Sequence, residues 1–190
     1  MLTQRIIGAF TFRKGVYAEV ESDATFTTTA WILVAVVAFL NALGTSANAD
    51  LVSWLIGAAG STVFAIAGFA VAALVINWVG QAVFSAEVTF DELVRTLGLA
   101  YVWNVIGVFG IISVVSGALA CVLAPVLVLS ALAMIVAWFI ATKEALDLEW
   151  LQTIVTVVIG FIVMFGIIAI GGLILGLLGV GAASLGGLLG

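Results

Sequence analysis

Charged residues divide this chain into long apolar runs. No Asp, Glu, Lys or Arg occurs in Ala24–Ala49, Leu51–Ala86, Thr96–Thr142 or Trp150–Gly190. Crossing ~30 Å of hydrocarbon takes roughly 20 helical residues. Each run therefore holds at least one crossing, and the 47 residues of Thr96–Thr142 hold two, with a turn near Ser116–Cys121. The pattern predicts helices over about 27–46, 59–83, 96–116, 122–142 and 151–174. Backbone polar groups in lipid must be satisfied within the segment, and the lengths do not suit the ~10-residue alternating strands of a membrane barrel. The run Leu51–Ala86, at 36 residues, is long for one crossing and short for two. It is read as one tilted span preceded by an interfacial or half-inserted segment, Leu51–Gly60.

The polar stretches between the runs carry their own signals. In residues 1–23 the apolar Ile6, Ile7, Phe10, Val16, Tyr17 and Val20 alternate with Arg5, Arg13, Lys14, Glu19, Glu21 and Asp23. This predicts an amphipathic segment resting in the membrane interface, broken in two at Gly15; docking of a soluble partner is the sharper alternative. Thr89-Phe90-Asp91-Glu92 fits a capping box, so a helix is expected to start at Phe90, with Asp91 and Arg95 paired at i, i+4. Pro125 is placed in the first turn of the fourth span, where its missing N–H has no cost and no kink is expected.

Composition settles the solvent. The chain is 65% hydrophobic and 8% charged, against ~45–50% and ~25% in soluble domains, so most of its surface must face lipid. With five spans, Arg5, Arg13, Lys14, Arg95 and Lys143 share one side, which the positive-inside rule makes cytoplasmic. Trp31, Trp78, Trp103, Trp138 and Trp150 lie within nine residues of that side's charges, as rings at headgroup level do. Of the ten acids only Asp50 falls outside that face, which is mixed and lacks the polybasic run that would recruit nucleic acid or anionic lipid. The expected place is the inner membrane of a prokaryote, with the N-terminus cytoplasmic and the C-terminus outside.

Candidate chemistry is sparse. No ionisable group falls inside an assigned span, although catalytic and ion-coupled membrane proteins keep such groups at depth. The chain has no histidine, and Cys121 is its one cysteine; no catalytic residue, metal or cofactor is expected. The polar side chains at depth are Asn41, Asn77, Gln81 and Asn104. Asn77, Gln81 and Asn104 are candidate interhelical contacts, with a hydrogen bond between Asn77 and Asn104 the structural reading and a solute path the functional one. Asp50 is read as a solvated turn or a helix cap. Glycine takes 21 positions, among them the GxxxG pair Gly172 and Gly176, and serves packing, with self-association the lesser reading.

Three stretches carry a resemblance. They are the basic-aromatic opening Arg5–Asp23, the boundary FDELVRTLGLAY (Phe90–Tyr101) and the loop ATKEALDLEW (Ala141–Trp150). Together with the five-span order they resemble the Yip family of Ypt/Rab-interacting membrane proteins, in its shorter bacterial and archaeal form, over roughly residues 4–170. The eukaryotic pattern's long cytosolic region with its Asp-Leu-Tyr-Gly-Pro motif is not seen, and Gly98-Leu99 and Val102-Trp103 replace its Gly-Tyr and following proline. The resemblance implies an all-α integral membrane protein. It would comprise an interfacial segment (1–23), a five-helix membrane bundle (24–175) and an apolar Gly-rich tail (176–190) that frays or folds back. Eukaryotic members are implied to bind prenylated small GTPases; in a prokaryote the expected partners are lipids, other integral membrane proteins or a second copy. The inner face Arg13, Lys14, Glu87, Phe90, Asp91, Glu92 and Arg95 is the candidate partner surface. A non-enzymatic scaffold or accessory subunit is the leading expectation, and a channel or transporter for a small neutral solute the alternative.

Overall fold

The computed structural model describes residues 2–47 and 49–178, and the tail from 179 onward lies outside the described residues. Two short helices, α1 (Leu2–Phe10) and α2 (Val16–Glu21), precede α3 (Phe26–Thr45) and α4 (Leu51–Phe84). A composite helix follows, made of α5 (Phe90–Ala100), a 3-10 stretch (Tyr101–Ile111) and α6 (Ile112–Val115). The chain then forms α7 (Gly117–Leu146) and α8 (Trp150–Leu177). Among the described residues, five helices are long and apolar enough to cross a membrane, counting Phe90–Val115 as one. The chain is a polytopic membrane protein, as the apolar runs predict.

The expected half-inserted segment Leu51–Gly60 is instead the start of one unbroken helix of 34 residues. Asp50 caps it, accepting the Ser53 N–H at 2.9 Å. Its glycines do not break it because they are used in packing, Gly80 against Leu146 of α7 and Gly60 and Gly68 against α8. A side chain on Gly60 would meet Leu175, one on Gly68 would meet Met164, and the opposing Gly160 and Gly171 receive Ile76 and Phe64. Contacts at Gly60, Phe64, Gly68 and Ile76 on α4 run against Leu175, Gly171, Met164 and Gly160 on α8. The two helices are thus antiparallel along a seam of small residues, the close approach that drives association in lipid. Gly172 of the GxxxG pair takes no part: a methyl group there would have nothing within 4 Å.

The turn predicted at 116–121 is a single extended residue, Ser116, whose hydroxyl caps α7. Helix α7 therefore starts at Gly117, earlier than expected, and Pro125 lies two turns inside it, where its missing N–H leaves the Cys121 carbonyl without its helical donor.

The core spans all five long helices. Phe69 (α4), with no exposed surface, meets Trp31 (α3), Tyr101 (3-10 stretch) and Trp138 (α7) edge to face, at centroid distances of 5.6, 5.6 and 6.0 Å. Trp138 stacks in turn on Phe161 (α8) at 5.0 Å. Trp138, expected at headgroup level, is fully buried in this layer. Trp78 and Trp150 keep the exposed position expected of interfacial rings.

Residues 1–23 depart from the interfacial reading in their second half, while Leu2 and Ile7 of α1 are exposed. Gly15, at φ 77°, does break the segment in two, but Ala9, Val16, Tyr17 and Val20 are buried inside the bundle and not laid on lipid. Packing against α5 and α7 wins because it also satisfies both ends of α2. The Glu144 carboxylate accepts the Ala18 N–H at 3.1 Å, and Arg95 Nε donates to the Glu21 carbonyl at 2.9 Å. A carboxylate at the N-terminus and a cation at the C-terminus both complement the helix dipole.

Candidate functional site

The end of the bundle that carries the basic residues is tied shut. Arg5 bridges Glu19 (3.2 Å) and Asp23 (2.8 Å), and Arg13 pairs with Glu19 at 2.6 Å. The capping box forms as predicted, with the Thr89 N–H on Glu92 at 2.6 Å and the Glu92 N–H on the Thr89 hydroxyl at 3.3 Å. Arg95 does not pair with Asp91. It is 6% exposed and turned inward, donating to the Glu21 carbonyl and to the Thr27 hydroxyl (3.1 Å), with Glu92 at 3.9 Å. Of the candidate face, Arg13, Lys14, Glu87 and Asp91 are exposed, Glu92 and Phe90 are half-buried, and Arg95 is interior. Lys143 donates to the Leu148 carbonyl (2.9 Å) and covers the Trp150 ring.

Charges at this end are tuned by those ties. Glu19 is held below the usual carboxylate range by its bonds to Arg5 and Arg13. Asp23 is lowered by the Thr25 hydroxyl and by Arg5. Glu21 moves the other way, raised by burial and then by the neighbouring carboxylate of Glu92. Burial also raises the Tyr17 phenol, whose hydroxyl has no hydrogen-bond partner among the described residues.

The predicted bond between Asn77 and Asn104 is absent. Asn77 is seven residues from the end of α4, roughly 10 Å deep, whereas Asn104 lies ten α-helical and four 3-10 residues beyond Phe90, roughly 23 Å deep. Asn104 Nδ2 donates instead to the Tyr101 carbonyl at 3.3 Å. Gln81 closes the loop at 85–89 by donating to the Val88 carbonyl at 2.6 Å.

The polar depth of the bundle is at its other end. Two cavities of about 320 Å³ each share Asn41, Thr45 and Asn104 as walls. The first lies between α3, the 3-10 stretch and α7, where Ser113, Leu123 and Ser130 complete it. The second lies between α3, α4 and α8, lined by Phe64 and Met164 and closed by Tyr101 of the 3-10 stretch and Met134 of α7. Neither includes Asn77 or Gln81, and no charged side chain lines either. Tyr101, which packs on Phe69 in the aromatic layer, is a wall of the second cavity.

The 3-10 stretch builds this site. An α-helix turns about 100° per residue, which would put Tyr101 and Gly110 on opposite sides. At three residues per turn, Tyr101, Asn104, Gly107 and Gly110 fall in one row facing α3. There the backbones touch: a methyl on Gly44 would overlap the Gly107 carbonyl, and one on Gly107 would overlap the Asn41 side chain. Asn41 and Ser113, both wall residues, are not among the contacts expected from sequence. The spacing Asn104-x-x-Gly107-x-x-Gly110 is the signal that points on to Ser113; Asn41 shows only through its contact with Gly107.

A comparison with protein families matches the Yip1 domain over residues 7–173, which takes in α2, the five long helices nearly to the end of α8, and both cavities. No curated protein and no solved structure matches the chain.

Proposed function

The chain belongs to the Yip1 domain family, and we propose that it acts as a non-enzymatic scaffold or accessory subunit, contacting another transmembrane helix through the outer half of α7. One observation carries this. Only 6% of the most apolar window of α7 is buried by the rest of the chain, against 28–33% in the other four spans. Helices associate in lipid by close packing, without a hydrophobic drive between them, and α7 leaves that packing unused on most of its sides. On the same reading the basic end lies in the cytoplasm, following the distribution of Arg and Lys. The alternative, a conduit for a neutral solute, draws on the uncharged polar cavities, but it requires the Phe69 layer to part.

Cys121 is exposed on this stretch of α7 and is the chain's one cysteine. A photoreactive maleimide attached there in native membranes, followed by irradiation and mass spectrometry, is expected to yield a discrete protein adduct, with another protein or with a second copy. The same probe at Val63→Cys, on α4 in a Cys121→Ser background, is expected to capture lipid. Lipid adducts alone at both positions sink the scaffold reading. Flux of a neutral solute into liposomes, lost on Asn104→Leu, would establish the conduit in its place.

A further inference from the structure

The two cavities meet at a polar seam whose hydrogen-bonding capacity is unused. The Asn41 carboxamide makes no hydrogen bond among the described residues, and Asn104 uses one N–H on the Tyr101 carbonyl and keeps its oxygen free. Both amides are half-buried and border cavity space, so an occupant with matching donors and acceptors would pair groups that the chain leaves open. Its headgroup is uncharged, because no Lys or Arg lines either cavity to neutralise a phosphate or carboxylate.

Depth and shape narrow the choice further. The 20 residues of α3 span about 30 Å, the thickness of the hydrocarbon. Asn41 sits four residues, or roughly 6 Å, inside its end at Thr45, below the level of phospholipid ester groups and within reach of a lipid whose small uncharged headgroup lets its esters sink deeper. From that seam one lobe runs along Leu123 and Leu127 of α7, and the other along Met164 and Phe165 of α8. Each is at the small end of the ~300–1,000 Å³ usual for ligand sites, room for the first part of an acyl chain whose remainder lies in the bilayer.

We propose that this seam and its two lobes form a binding site for diacylglycerol. The Asn41 and Asn104 amides donate to the ester carbonyls and accept from the free hydroxyl, and one chain enters each lobe. The cavity uses another side of the same α7 turns as the proposed partner contact, and its test reads lipid labelling, so absence of protein adducts at Cys121 would not count against it.

The test is labelling of the full chain in phosphatidylcholine liposomes by a diacylglycerol carrying a photoreactive group near its glycerol. Adducts are expected on peptides from α3, the 3-10 stretch and the outer half of α7. Unlabelled diacylglycerol is expected to compete, and phosphatidic acid of the same chains is not. The double variant Asn41→Leu/Asn104→Leu is expected to lose labelling about tenfold, with Ser113→Ala, a milder change that spares the helix contacts, losing less. Thermal unfolding of each variant separates loss of the site from loss of the fold. Labelling spread evenly over the five helices, equal competition by phosphatidic acid, or undiminished labelling in the folded double variant overturns the proposal.

Discussion

Replacing Arg95 by leucine should release α2 from the bundle while leaving the five long helices in place. Leucine fills similar space without donors, so the Glu21 carbonyl and the Thr27 hydroxyl, both partners of the guanidinium, lose it where little water can replace it. Stranding each costs ~1–3 kcal/mol, and hydrogen bonds to charged groups are at the upper end, so a loss of ~3–5 kcal/mol is expected. That loss matters because the rest is nearly balanced. Fixing the eight backbone residues 16–23 costs ~8–16 kcal/mol, while burial of Val16, Tyr17 and Val20 offsets roughly 5–9 kcal/mol at ~1.5–3 each. The polar anchors make up the difference. Amide hydrogen exchange in nanodiscs at fixed pH reads the result: protection over 16–23 should fall by roughly 100- to 4,000-fold, at 1.4 kcal/mol per factor of ten. Protection in α4 and α8 should hold, because Arg95 has no hydrogen-bond partner there. Arg95→Lys keeps the charge but not the planar fork that spans two acceptors, and should fall between. Protection of 16–23 within about threefold of wild type in Arg95→Leu would falsify the clamp and leave apolar burial as the whole cause.

The same docking should depend on pH in two opposed ways. Glu19 and Asp23 have lowered folded values, so their contribution is complete above the ordinary carboxylate range, ~4, and lost as pH falls through the lowered values. Glu21 is raised, so its contribution is present below its ordinary value and lost as pH rises through the raised one. The mobility of a spin label at Lys14→Cys, in a Cys121→Ser background, should therefore be lowest just above the ordinary carboxylate range and rise steeply in acid; Glu21→Gln should remove only the rise on the alkaline side. In the membrane, Gly44→Ala drives a methyl into the Gly107 carbonyl and should cost ~1–3 kcal/mol or more in unfolding measurements. Gly166→Ala meets nothing within 4 Å and should be neutral or gain up to ~1 kcal/mol from helix entropy; equal effects at the two positions would contradict the close packing of α3 on the 3-10 stretch.

What the sequence announces here is whatever one segment decides alone. Charge-free length gives the spans, Thr89 and Glu92 give a helix start, Asp50 gives a cap, and Gly15 gives a break. What it hides depends on distant partners or on winding. The apolar face of Val16, Tyr17 and Val20 reads the same whether lipid or protein covers it, and the deciding guanidinium of Arg95 lies 74 residues from Glu21. Hydropathy is likewise blind to the 3-10 stretch, since every residue from Val105 to Ile111 is apolar or glycine and no rotation of an apolar segment changes its mean. Asn77 and Asn104 look level when counted from the ends of the expected spans at 83 and 96, but the helix that carries Asn104 starts at Phe90 and sets it far deeper. Pro125 looks harmless because Ser116, one small polar residue among apolar ones, does not stand out as the cap that sets the start of α7.

The two ends of the bundle are held by different forces, and this places the adaptable part of the molecule. At the basic end, ion pairs, helix caps and the Arg95 clamp act outside the hydrocarbon, where α1 and α2 can be added as a closing layer. At the other end such charged groups are too costly in lipid, and adhesion falls to small residues that let backbones meet. Helices α4 and α8, and α3 with the 3-10 stretch, have such seams. The N-terminal half of α7 has none comparable: its exposed Val122, Val126, Val128 and Leu129 face away from the chain, and Pro125 removes a backbone bond within the same turns. That half of α7 is also a wall of the cavity lined by Asn41 and Asn104. A wall fixed weakly on one side and bordering unpaired amides on the other is free to adjust to what fills the cavity, so a helix packed against α7 and a lipid seated behind it would act on the same turns.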